Sequence, residues 1–303
     1  MAASEMAKFS EQISAAAAQA GASVVTVQAR RRLPSSGVYW REGIIVTADH
    51  AIQHEEGITV LLSGDKRIEA KLAGRDAATD LAIIKTEKSD RSVPQFGDPT
   101  QLKLGNLVLA LGRTRQGNLV ASSGIIGGLA GESRTWRGGR LDQSIRLDLR
   151  LYPGFSGGPL VNVEGKILGI NTSGLGGGRP MTIPATTVNR TVDELLAKGY
   201  IARPYLGAAL QPVRIPERAR TSLASSASGG LMVLHVETGG PAEKAGIVLG
   251  DVIVELEGRP VPHTYEIRSA LASSKVGDIL KLKLLRAGGA VVVSVDLAER
   301  PAR

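Results

Sequence analysis

The chain has 303 residues, 37 Lys and Arg against 29 Asp and Glu, a net charge of +8, 43% hydrophobic and 22% charged residues, the balance of a globular chain of two or three domains. It has no cysteine, which excludes disulfides, thiolate nucleophiles and cysteine-held zinc or iron–sulfur centres. No run of about eighteen apolar residues occurs, so no membrane span is expected, and the basic residues are scattered without interleaved aromatics, which argues against a nucleic-acid site.

From the N-terminus, Met6, Phe9, Ile13, Ala16, Ala17 and Ala20 recur at helical spacing and Gly21 supplies a stop, predicting one amphipathic helix in a separate segment, 1–22. The start "MAASEMAKFSEQISAAAAQAG" carries acidic residues where an export signal would be basic. The expectation is a cytoplasmic protein, with the periplasm as the alternative if a leader has been removed. From Ser23 onward come short apolar runs bounded by turn residues, among them "SVVTVQA", "GIIVTA", "ITVLLS", "DLAIIK", "NLVLALG" and "SIRLDLRL". Strands at such spacing indicate barrels or sandwiches rather than parallel βαβ units. The segment "SDRSVPQFGDPTQ", 89–101, divides them into two sets, so two small barrels are expected over 23–200. Val188, Val192, Leu195 and Leu196, with Gly199 beyond, predict a connecting helix. Residues 201–303 read as a further, smaller domain with a helix around Tyr265 to Ala272.

The stretch "YPGFSGGPLVN" holds the candidate nucleophile, Ser156. A strand–turn–helix nucleophile elbow is excluded by context: Pro159 and the strand-like "LVNV" follow, and the only downstream histidines are His235 and His263 in the last domain. The order His, Asp, Ser fits instead, with His50 closing "GIIVTADHAI" and Asp80 opening "DLAIIK". A serine hydroxyl needs a neutral imidazole to take its proton and a buried carboxylate to orient that imidazole. The N–H groups of Gly154 and Ser156 would face the developing oxyanion. Singly, each could be a turn or strand-end residue; together, in this order at strand ends, they favour the catalytic reading.

On these motifs the sequence resembles the HtrA/Deg family of serine proteases: "IIVTADHAI" for the histidine, "GRDAATDLAIIK" for the aspartate, "YPGFSGGPLVNVEGKILGINT" for the serine, and "YLGAALQP" with "GGPAEKAGIVLGDVIVELEGRPV" for one PDZ domain. The resemblance implies a mainly β, chymotrypsin-like double β-barrel protease domain followed by a PDZ domain. It implies endopeptidase activity on unfolded or damaged proteins, no metal or organic cofactor, and commonly a homotrimer. It also implies that Tyr205, Leu206, Gly207 and Ala208 form a loop binding the carboxylate of peptide C-termini, with Ile267 and Leu271 lining the groove, although a core role suits those two equally.

Three departures from the family pattern matter. Phe155 stands where the family has Asn, Tyr152 replaces another Asn, and of the N-terminal aromatics that help build a trimer only Phe9 remains. Arg150 lies six residues before Ser156, where related folds place the floor of the specificity pocket, implying a preference for an acidic residue before the scissile bond. Alternation of Ile145, Leu147, Leu149 and Leu151 with Arg146, Asp148 and Arg150 would instead point it to water. The alternatives are a catalytically silent PDZ binding protein or chaperone, with its oxyanion hole collapsed by Phe155, and a resting protease awakened by a PDZ ligand.

Overall fold

A computed structural model describes residues 2–30, 33–61, 66–87, 93–215, 217 and 229–299; Leu62 and Ser63 of the expected strand "ITVLLS" and the start of the 89–101 segment lie outside them. The chain divides into two compact units, Met1–Ile201 and Ala202–Arg303.

The first unit opens with helix α1 (Ala2–Gly21). Strands β1 (Val24–Gln28), β2 (Ser35–Arg41), β3 (Ile44–Ala48), β4 (Ile58–Leu61), β5 (Arg67–Asp76) and β6 (Leu81–Thr86) close into an antiparallel barrel of order β1-β2-β3-β6-β5-β4. Next come β7 (Leu107–Arg113), β8 (Leu119–Ala130), a hairpin of β9 (Ser133–Arg134) and β10 (Arg140–Leu141), β11 (Ser144–Asp148), β12 (Pro159–Asn162), β13 (Ile167–Gly176) and β14 (Arg179–Pro184). Six of these close the second barrel, in order β11-β14-β13-β12-β7-β8. Taken cyclically from its first strand, each barrel has the same antiparallel order, first-second-third-sixth-fifth-fourth.

Period-two alternation builds the packing. On β3 and β6, Ile45 and Ile84 fill the first barrel with Val25, Val27 and Tyr39, while Ile44, Val46, Leu81 and Ile83 turn outward. There they meet Leu109, Leu111, Val161 and Ile170 of the second barrel in one cluster. Helix α2 (Ala185–Lys198) adds Val188, Val192 and Leu195 from one stripe and ends at Gly199 in the left-handed conformation. Ala16 and Ala20 of α1 are buried in that cluster too, so the expected amphipathic helix packs part of its apolar stripe into this unit. β2 was not expected from the sequence: Ser35 and Ser36 are polar yet fully covered.

The second unit is a sheet of β16 (Ala208–Arg214), β17 (Gly229–Val236), β18 (Val252–Leu256), β20 (Ile279–Arg286) and β21 (Gly289–Asp296) in that order, with β19 (Arg259–Pro260) on β18. β15 (Pro204–Tyr205) pairs with β22 (Ala298–Glu299). A helix, Thr264–Ser273, buries Ile267 against Leu206, Leu231, Leu282 and Val295.

Candidate active site

At the end of β3 the chain turns through a single 3-10 turn, Asp49–Ala51, that presents His50. Asp80 precedes β6 at φ 57°, a left-handed conformation that Asp tolerates better than most residues. Its carboxylate is buried at 3% exposure while His50 is 31% exposed. His50 Nδ1 lies 2.8 Å from Asp80 Oδ2 and 3.0 Å from Oδ1, and the His50 backbone N–H donates to Oδ1 at 2.9 Å. This fixes the proton on Nδ1 and leaves Nε2 with its lone pair available as a proton acceptor. The loop before Asp80 is capped by Asp76, whose carboxylate accepts the Ala78 N–H at 3.2 Å, the Thr79 N–H at 3.0 Å and the Thr79 hydroxyl at 2.6 Å.

Ser156 stands in the turn between β11 and β12. Pro153 and Gly154, the latter at φ 97°, occupy the centre of a turn closed by the Phe155 N–H on the Tyr152 carbonyl at 3.0 Å, the residue order and sign of φ of a type II turn. Among the described residues, neither Gly154 nor Ser156 gives its backbone N–H to a protein acceptor, which leaves both donors for an oxyanion. Ser36 of β2 holds this turn from the first barrel. Its hydroxyl donates to the Gly154 carbonyl at 2.7 Å and accepts the Arg113 N–H at 2.9 Å, and its own N–H reaches the Ser156 carbonyl at 3.2 Å. Gly157, at φ 86°, is pressed so closely on Ser36 and Thr47 that a side chain would not fit.

Strand β13 is the common edge of the site. Thr172 donates its hydroxyl to Asp80 Oδ2. The Ser173 hydroxyl lies 3.2 Å from Ser156 Oγ, which also accepts the Ser173 N–H at 3.4 Å. Gly174 lies against the dyad, since a Cβ there would be 2.7 Å from Asp80 Oδ2 and 2.8 Å from His50 Nδ1. Three consecutive residues thus touch all three members of the predicted trio. Among the described residues Ser156 bonds to Ser173 and not to His50; unliganded catalytic hydrogen bonds commonly tighten only around substrate.

Phe155 does not disturb the turn as its replacement of Asn suggested. It is 3% exposed, its ring lies under the Gly112 backbone of β7, and Tyr152 tilts against it with centroids 5.7 Å apart. Arg150 follows the end of β11 and is exposed, with its guanidinium carbon 5.1 Å from the centre of the Tyr152 ring. That is a surface position, not a buried pocket floor. Phe9 on α1 is exposed. In the second unit, Tyr205, Leu206, Gly207, Ala208, Ile267 and Leu271 all line one groove of about 740 Å³ beside the edge strand β16. Ile267 is nonetheless 4% exposed, and so belongs to the core as well. Among the described residues no group of His, Cys, Asp or Glu is arranged to hold a metal ion. Sequence reasoning missed Ser36, Thr172, Ser173 and Gly174; only the last three carried a signal, Thr172 closing the serine motif and Ser173 and Gly174 following it directly.

Residues 35–170 match the family profile described as a trypsin-like peptidase domain, and residues 204–297 that of the PDZ domain. With the two barrels and their facing His, Asp and Ser, this is the architecture of a trypsin-like serine peptidase carrying a PDZ domain. A "Serine protease Do-like HtrA" from Lactobacillus helveticus is 35% identical over 270 residues, 84% of this chain and 65% of that protein. A "Probable periplasmic serine endoprotease DegP-like" from Rhizobium meliloti is 32% identical over 279 residues, 90% of this chain and 54% of that one. The chain therefore spans about half to two thirds of the length of these relatives. A serine endoprotease from Yersinia pestis superposes with a TM-score of 0.71 at 28% identity, covering 95% of this chain and 98% of its own. The HtrA-type protease AlgW with decapeptide has the same TM-score at 23% identity, covers 96% of this chain and 99% of its own, and attests the fold. The chain belongs to the HtrA family of serine proteases.

Proposed function

We propose that the chain is a serine endopeptidase acting on unfolded or damaged proteins. The observation that carries this reading is the convergence of Asp80, Ser156 and His50 on Thr172, Ser173 and Gly174. His50 Nε2 takes the Ser156 proton as Oγ bonds to the scissile carbonyl carbon, and Asp80 stabilises the resulting imidazolium. The N–H groups of Gly154 and Ser156 receive the oxyanion. Collapse breaks the C–N bond while His50 gives its proton to the leaving amine. Water, deprotonated by the same imidazole, then releases the acyl group and restores Ser156.

The silent-binder alternative is not favoured, because Phe155 packs beneath the turn and the two oxyanion donors are unspent. In the PDZ unit, β16 is an edge strand and can accept an added peptide strand. Leu206, Leu210, Ile267 and Leu271 offer an apolar seat for the terminal side chain beside the Tyr205–Ala208 loop. Several relatives, that of Rhizobium meliloti among them, are named periplasmic, which favours that alternative over the cytoplasmic expectation. A homotrimer rests on the family resemblance alone. The test is labelling by a fluorophosphonate probe: the wild-type chain is expected to react at Ser156, and Ser156→Ala not at all. Absence of reaction in the wild type, with and without an apolar C-terminal peptide, would reject the reading.

A further inference from the structure

β5 ends in Arg75 and Asp76, and successive strand residues point to opposite faces. Asp76 caps the loop that carries Asp80; Arg75 grips the turn that carries His50. Arg75 Nε donates to Asp49 Oδ1 at 2.5 Å, and Nη2 donates to the Asp49 carbonyl at 3.3 Å and the Ile52 carbonyl at 3.2 Å. Nη1 reaches Glu55 Oε1 at 3.1 Å. One planar guanidinium thus spans both ends of the 49–52 turn. The Asp49 side chain is 4% exposed, so its charge depends on that partner.

We propose that Arg75 is a positioning residue for the reaction: by clamping the Asp49–Ile52 turn, it sets the orientation of His50. This rests on the reading of His50, Asp80 and Ser156 as the triad. Arg75 acts through His50 and has no contact with Ser156. Asp49 faces Arg75 and Asp76 from β5 and Asp80 from the loop before β6, and it adjoins His50, while Glu55 shares its guanidinium. Burial pushes the Asp49 carboxyl up, the Arg75 hydrogen bond and charge pull it down, and Asp80 and Asp76 push it up, leaving it above the usual range. Without Arg75 the upward influences are unopposed, and Asp49 takes a proton at higher pH.

The test is casein cleavage and fluorophosphonate labelling, with melting curves alongside. Arg75→Gln is expected to lower kcat about tenfold to a hundredfold, the cost of misplacing a reacting group by up to about 1 Å, with KM little changed. Arg75→Lys, which restores the charge but not the fork of bonds, falls between. Asp49→Asn in the Arg75→Gln background does not restore the rate, because the fork of bonds across the turn stays lost. If Arg75→Gln fails to fold, Arg75→Lys and Asp49→Asn carry the test: both should lose kcat at unchanged KM. A folded Arg75→Gln with wild-type kcat would overturn the proposal, as would a rate loss that follows melting alone. Equal cleavage by wild type and Ser156→Ala would instead sink the triad reading itself.

Discussion

Replacing Gly174 by alanine adds one methyl group at the most crowded point of the site. It would sit 2.7 Å from Asp80 Oδ2 and 2.8 Å from His50 Nδ1, about 0.7 Å short of the 3.4 Å at which ordinary contact begins. The backbone gives no relief and no objection, since Gly174 is outside the left-handed region. The imidazole and carboxylate must therefore part or swing by a large fraction of an ångström. Misplacement of about 1 Å costs roughly a hundredfold in rate, so a tenfold to hundredfold fall in kcat is expected, or about 1.4 to 2.7 kcal/mol. Gly174 is exposed, and the melting temperature should barely change. Gly131→Ala is the matched control, because a Cβ there meets nothing within 4 Å. Rates of fluorophosphonate labelling and casein cleavage are compared for the two. Gly174→Ala working as fast as Gly131→Ala would refute the placement of β13 against the dyad.

Ser36→Ala removes the bond to the Gly154 carbonyl and the one accepted from the Arg113 N–H; kcat should fall about tenfold or more as the oxyanion turn loosens, with the melting temperature lowered. In the PDZ unit, Gly207 is at φ 75° and a Cβ would meet Pro241 at 3.1 Å; Gly207→Ala should cost about 1–2 kcal/mol, read as a roughly tenfold weaker peptide affinity by fluorescence anisotropy. Burial pushes the Asp251 carboxyl up, but hydrogen bonds from Arg286 and the Val248 N–H, with the Arg286 charge, outweigh it and hold it below the usual range. A depressed folded value means that the pair's contribution is whole above the unfolded carboxylate value, about 3.9, and is lost as pH falls through the folded one. Acid melts should show this loss in the wild type and not in Asp251→Asn.

The barrels were legible because most of their strands are runs of Val, Ile and Leu whose two faces are both covered, one by the barrel interior and one by the inter-barrel cluster. β2 was not, because Ser35, Ser36 and Gly37 carry no apolar signal; they are buried through hydrogen bonds to residues far along the chain, Gly154 being 118 positions from Ser36. The triad could be read from order and strand-end position. The pairings of its supports could not: Thr172 meets Asp80 across 92 residues and Arg75 meets Asp49 across 26, and a motif that contains such a residue does not name its distant partner. The N-terminal helix was legible from its apolar spacing, and Ala16 and Ala20 of that stripe are buried. Phe155 stood out because a lost hydrogen bond is visible in sequence, whereas its packing against Gly112 is not.

The most direct measurement is cleavage of unfolded casein by the purified chain beside Ser156→Ala, with and without an apolar C-terminal peptide. Cleavage by the wild type that disappears in the mutant is the predicted result. Equal cleavage by both, or none by either under any condition, would contradict the assignment of Ser156 as the nucleophile of a working protease.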